Sequence, residues 1–218
     1  MKSLVVNEIF RSIQGESLYA GFPSLFIRLT GCNLNCTYCD TQYAKDAGKE
    51  MTYDEILEIV TNSSPFHHIT MTGGEPLLQE HAAGLLELLK EKRYLVQVET
   101  NGSISLENVP SCVRKIVDVK TPSSGEEGSF LMENLKFIEK GDEIKFVISD
   151  QDDYNYSKKF LEKYGDAFDA ETTVNFSPVL SRMPAGMLGE QIISDRLVVR
   201  LHVQLHALLW PEGEKKSR

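Results

Sequence analysis

Three cysteines fall within eight residues, Cys32, Cys36 and Cys39 in a C-x3-C-x2-C loop directly after the apolar run 25–29. Structural zinc takes four protein ligands. Three thiolates leave one metal position open, which in a [4Fe–4S] cubane is an iron that a small molecule can coordinate. Two blander readings stand beside that one. Zinc would need a distant His67 or His68 as its fourth ligand. Disulfides suit an acidic chain with an odd cysteine poorly. The fourth cysteine, Cys112, has no ligand-like neighbour and reads as a small buried hydrophobe.

A second motif, Thr72-Gly73-Gly74-Glu75-Pro76, follows another apolar run. Its glycines allow the backbone to approach a ligand closely. Alone, the segment is also an ordinary strand-to-helix turn with Pro76 at the first helical position. Glu99-Thr100-Asn101-Gly102, Asp118-Val119-Lys120, Ser149 and Ser177-Pro178 likewise end apolar runs. Ligands of parallel α/β folds bind at the carboxyl ends of the strands, so these motifs mark one rim as the active site.

The elements that must carry this rim alternate as strands and helices. Strands are predicted at 24–29, 68–71, 95–99, 115–119, 143–148 and 173–176. Thr52-Tyr53-Asp54-Glu55 is a capping box opening a helix with Ile56, Ile59 and Val60 on its apolar face. Leu78, Ala82, Leu85 and Leu89 define a second helix. Tyr156, Phe160 and Tyr164 define a third, closed by Gly165. Six such units are too few for a closed eightfold barrel, so the expected α/β architecture is a partial, open (βα)6-type barrel. Segments 4–10 and 18–23 form a hairpin or cover over about 1–23, and 197–206 supplies one last strand as a C-terminal extension. One domain is expected over 1–211, with a charged tail at 212–218.

With 218 residues, 41% of them hydrophobic, the chain can bury a full core. A formal charge of −9 argues against nucleic acid as a partner. No apolar run suits a signal peptide or approaches the roughly 18 residues of a membrane helix. A cytoplasmic, reducing location follows as the expectation, with no membrane partner.

With the cysteine loop and Gly-Gly-Glu-Pro both in hand, the chain resembles the radical S-adenosylmethionine (SAM) superfamily. Ile13-Gln14-Gly15-Glu16, Arg28, Cys39-Asp40-Thr41 and the chain length narrow the resemblance to its 7-carboxy-7-deazaguanine synthases, over nearly the whole chain. The resemblance implies a [4Fe–4S] cluster on Cys32, Cys36 and Cys39, and Mg²⁺ on Thr41, with Asp40 a further oxygen ligand or a loop cap. SAM would meet Tyr38, Gly74, Glu75, Asp118, Lys120, Asn175, Phe176, Ser177 and Pro178. The substrate, 6-carboxy-5,6,7,8-tetrahydropterin, would meet Ile13, Gln14, Gly15, Glu16, Arg28, Thr72, Glu99, His206 and Pro211.

These assignments have a physical sense. Arg28 offers a rigid donor fork to a carboxylate. Gln14 and Glu16 could read the donor–acceptor edge of an aminopyrimidinone, although Gln14-Gly15-Glu16 could equally be a plain turn. Lys145 reads as a strand-edge residue, and His206 as either a site residue or a satisfied histidine. Some relatives use a terminal carboxylate as a ligand. Here the sequence continues through 212–218, so Pro211 has none to offer and another group would be needed.

The implied chemistry is reductive cleavage of SAM, hydrogen abstraction from C6 of the pterin, ring contraction and loss of ammonia. The resemblance also implies a homodimer and an external electron donor such as a flavodoxin. A glycyl-radical activase and a non-catalytic metal-binding module are the rival functions. Alanine at Arg28 would spare the activase, and metal analysis would single out the module.

Overall fold

The structure, a computed structural model, describes residues 2–169 and 171–210, and only the backbone of His206. Among the described residues nine strands form a single sheet: β1 (Ser3–Ile13), β2 (Pro23–Leu29), β3 (Lys49–Thr52), β4 (His68–Gly73), β5 (Leu95–Thr100), β6 (Arg114–Asp118), β7 (Glu143–Ile148), β8 (Thr173–Pro178) and β9 (Arg200–Leu201). The spatial order is β3-β1-β2-β4-β5-β6-β7-β8-β9. From β2 through β9 every neighbour is parallel, whereas β1 runs antiparallel to both β2 and β3. The sheet does not close, so the barrel is partial and open.

Residue alternation gives the sheet two faces. Leu25, Ile27, Ile69, Met71, Val96, Val98, Ile144, Phe146 and Phe176 face one way into a continuous apolar core. The intervening residues, among them Arg28, Thr72, Glu99, Asp118 and Lys145, face the interior of the barrel. The helices α1 (Tyr53–Asn62), α2 (Ala82–Glu91), α3 (Gln151–Tyr164) and α4 (Ala185–Ser194) span four of the six parallel crossovers. The β5–β6 and β6–β7 crossovers carry only loop and 3-10 turns, such as Pro122–Ser124 and Met132–Phe137. Pro110, Pro122, Gly125 and Gly128 account for that, since proline and glycine interrupt a helix.

The predicted capping box forms. Thr52 Oγ1 accepts from Glu55 N (3.3 Å), and Glu55 Oε2 accepts from Thr52 N (2.7 Å). Several other expectations need correction. Ile59 lies on the exposed side of α1, and Leu78 sits exposed in a 3-10 turn before α2 begins at Ala82. Tyr154, not Tyr156, carries the buried face of α3 with Phe160. The partner of β1 is the first barrel strand, Pro23–Leu29, so 18–22 belong to the turn between the two strands and form no hairpin arm of their own. The short β3 was not anticipated. At the other end only Arg200–Leu201 pairs with β8. The chain then crosses the barrel mouth, where Leu205 N donates to Gly15 O (2.9 Å), and coils into α5 (Leu205–Leu209). His206 therefore lies in a helix, and Pro211 and 212–218 lie outside the described residues. Among the described residues no helix is long and apolar enough to cross a membrane.

Candidate active site

The cysteine loop leaves β2 at its carboxyl end and is tied down on both sides. Thr37 N and Oγ1 donate to Ser124 O (2.9 Å) and Ser123 O (2.6 Å), while Lys45 Nζ donates to Leu34 O (2.9 Å). Glu75 N donates to Gly31 O (2.8 Å), docking the Gly-Gly turn against the loop. A side chain at Gly74 would strike Gly31 O and Cys32 Cβ. Glycine here thus seats the cysteine loop itself, in addition to any closeness it allows a ligand. The Glu75 carboxylate accepts from Leu77 N, Thr100 Oγ1 and Asn101 N at 3.0, 2.9 and 2.7 Å. It is buried and clamps β4 to β5.

A cavity of about 1000 Å³ opens at this rim. Cys32, Cys36, Tyr38, Cys39, Asp40, Thr41, Thr72, Gly74, Asp118, Lys120, Ser177 and Pro178 line it together with Ile13, Gln14, Gly15, Glu16, Arg28 and Glu99. Glu75, Asn175 and Phe176 are not among the lining residues. Asn175 points into the barrel floor and donates to Glu143 Oε2 (2.8 Å), and Phe176 faces the apolar core. Ser149 is buried and its N–H donates to Asp153 Oδ2 (2.8 Å), so it serves the start of α3. Cys112 proves exposed, on the loop before β6, and is not a core residue.

The polar groups of the cavity hold one another in place. Gln14 is 2% exposed. Its Nε2 donates to Thr70 Oγ1 (3.0 Å) and Glu99 Oε1 (3.3 Å), and its Oε1 accepts from Glu16 N (3.0 Å). Glu99 Oε2 accepts from Thr72 Oγ1 (2.9 Å). Arg28 Nε donates to Glu8 Oε1 (2.8 Å), and its guanidinium lies over the rings of Phe10 (5.5 Å) and Tyr43 (5.8 Å). Stacking and one ion pair thus fix the arginine with donors to spare.

Two carboxylates of this set are pushed in opposite directions. Burial raises the Glu99 pKa, the negative charge of Glu16 adds to that, and the nearby cations do not offset it. Burial opposes ionisation of Glu16 too, but Lys145 and the Gln204 amide outweigh it and bring Glu16 down to about 2. Tyr38 is pushed up to about 12 by burial and by the Asp118 charge.

The radical SAM superfamily model matches residues 26–175. A 7-carboxy-7-deazaguanine synthase of Koribacter versatilis is 43% identical, over 96% of this chain and 98% of that protein. The synthase of Chlorobaculum tepidum is 38% identical, over 95% of this chain and 94% of that protein. The chain belongs to the 7-carboxy-7-deazaguanine synthase family of radical SAM proteins. The crystal structure of QueE from Escherichia coli superposes with a TM-score of 0.79 over 94% of this chain and 95% of that one, at 22% identity, a likeness of fold.

As a radical SAM synthase-family member, the chain works with a [4Fe–4S] cluster and SAM. The donor set fits the cluster. Three half-buried free thiols on one tethered loop border the cavity, and nearby Lys120 favours the thiolate of Cys36 against the burial that raises its pKa.

Two residues of this synthase-family site escaped sequence reasoning. Lys145 Nζ bonds Glu16 Oε2 (2.7 Å) and Asp118 Oδ2 (3.2 Å). Gln204 Nε2 donates to Glu16 Oε1 (2.5 Å). A signal for Lys145 was present, since it alternates with Ile144 and Phe146 in a buried strand. None pointed to Gln204, which the crossing of the C-terminal segment brings to Gly15.

Proposed function

We propose that this cavity converts 6-carboxy-5,6,7,8-tetrahydropterin into 7-carboxy-7-deazaguanine with loss of ammonia, in the carbon–nitrogen lyase reaction of the synthase family. One observation carries the assignment. The three cluster cysteines share a single cavity with Arg28, Glu16 and Glu99, a cation and two acceptors suited to an acidic aminopyrimidinone. Arg28 would bind the substrate carboxylate with its free guanidinium N–H groups. Glu16 and Glu99 would accept from the pyrimidinone N–H edge, with Gln14 and Thr72 holding them in register.

Cys32, Cys36 and Cys39 would hold the cluster, which together with SAM would supply the radical chemistry at C6. Gly74, Asp118, Lys120, Ser177, Pro178 and Tyr38 would orient SAM. Glu75, Asn175 and Phe176 would act behind that surface, by shaping the backbone. Thr41, whose Oγ1 lies 3.8 Å from Cys39 Sγ, and exposed Asp40 would offer hard oxygens to Mg²⁺. His206 and Pro211 keep their place in the proposal as the C-terminal side of the pterin pocket.

The same reading takes 1–211 as one radical SAM domain, in the cytoplasm, reduced by a flavodoxin-like donor and paired as a homodimer. Exposed Met187 and Ile193 on α4 and Leu201 on the neighbouring β9 favour the pairing.

The substrate assignment is tested by anaerobic titration of the cluster-loaded enzyme with the pterin. Arg28→Ala should weaken binding on the order of tenfold or more, the weight of a charge-assisted hydrogen bond. Unchanged pterin affinity in that variant would overturn the assignment of Arg28.

A further inference from the structure

Lys145 lines the cavity, and the scheme above gives it no ligand. It lies mid-strand in β7 and faces the barrel interior, with its side chain 12% exposed. Its ammonium touches two carboxylates from different parts of the chain. Glu16 comes from the N-terminal loop beside Gln14, at 2.7 Å. Asp118 comes from the end of β6, at 3.2 Å.

Each carboxylate has a further tie on its own side. Glu16 Oε1 accepts from Gln204 Nε2 (2.5 Å), and Asp118 Oδ2 also meets Lys120 Nζ (3.1 Å). Asp118 Oδ1 is buried and has no hydrogen-bond partner among the described residues, so that carboxylate keeps an acceptor in reserve. An ammonium taken out of bulk water must stay with its counter-charges. Lys145 therefore cannot serve one carboxylate without regard to the other. Fixing Glu16 fixes the ammonium, and fixing the ammonium fixes Asp118.

We propose that Lys145 is a positioning residue that couples the pterin side of the cavity to the SAM side, so that each ligand tightens the binding of the other. This rests on the assignment of Glu16 to the pterin and Asp118 to SAM. Whichever ligand arrives first bears the ordering of the shared ammonium, and the second meets a carboxylate already in place. Linkage makes the effect reciprocal, with the same factor measured from either side.

The test uses cluster-loaded enzyme under anaerobic conditions, without electron donor. SAM affinity is measured by equilibrium dialysis with and without saturating 6-carboxytetrahydropterin, and the pterin affinity with and without SAM. In the unaltered protein each ligand should tighten the other about fivefold or more, the low end of ordinary coupling. Lys145→Met should bring the factor to one while both ligands still bind, and Lys145→Arg should restore most of it. Asp118→Asn, which removes the counter-charge on the SAM side and leaves Glu16 as the only carboxylate in contact with Lys145, should also lower the factor and decides the matter if the methionine variant does not fold. Two ligands that bind the unaltered protein with a factor of one would overturn the coupling alone. Full coupling in Asp118→Asn or in folded Lys145→Met would overturn it as well. Failure of the unaltered protein to bind the pterin would overturn the substrate assignment, and the coupling with it.

Discussion

The two faces of the central strands have opposite chemistry. Toward the helices β7 shows Ile144, Phe146 and Ile148, all buried in the apolar core. Toward the barrel interior the same strand shows Glu143 and Lys145, both held by ion pairs or hydrogen bonds. The neighbours repeat this division, with Val96 and Val98 outside and Gln97 and Glu99 inside on β5. The outer face gains stability from apolar burial at roughly 25 cal/mol per Å². The inner face gives up part of that gain, because buried polar groups only break even when every one is paired. One face holds the fold and the other the chemistry.

The comparison breaks most severely at the cysteine loop. Cys36→Ala should remove the cluster and take 5′-deoxyadenosine production to background, while the urea midpoint stays near that of the unaltered protein. Iron content and denaturation curves measured together check both halves. Parallel loss of fold and cluster would contradict the division. Phe146→Ala, on the outer face and 0% exposed, should do the reverse. It should lower stability by about 3–5 kcal/mol, as large-to-small core substitutions do, and leave pterin affinity of the folded fraction unchanged.

The inner face also has a pH signature. Glu16 is held at about 2, against an ordinary value of 4.5, so its ionised form stabilises the folded state. That contribution is fully present above pH 4.5 and is lost as pH falls toward the folded value. By linkage it amounts to about 3 kcal/mol. The stability difference between the unaltered protein and Glu16→Gln should therefore shrink as pH drops from about 4.5 to about 2 in urea titrations. A difference that stays flat would mean that the ion pair with Lys145 does not form. The smallest effect belongs to a surface cap. Thr52→Ala should cost about 1 kcal/mol by denaturant titration, without change in activity.

Much of this division could be read from the sequence, for physical reasons that also set its limits. All six long parallel strands lie where apolar runs end in polar motifs, because in this architecture strand ends are where ligands bind. The capping box located α1 to the residue, since its two hydrogen bonds are purely local. Tertiary contacts were harder to see. The pairing of β1 with β2, the lapse of the last strand into α5, and the reach of Gln204 to Glu16 each join segments distant in sequence. Lys145 was visible as a lysine in an apolar strand, but its two carboxylates come from segments that only the barrel brings together.

The most direct test of the account is anaerobic turnover of the reconstituted protein with reductant, SAM, Mg²⁺ and 6-carboxytetrahydropterin, followed by mass spectrometry. The account predicts 7-carboxy-7-deazaguanine together with 5′-deoxyadenosine. Formation of 5′-deoxyadenosine without the deazaguanine would contradict it, leaving the radical chemistry in place and the substrate wrong.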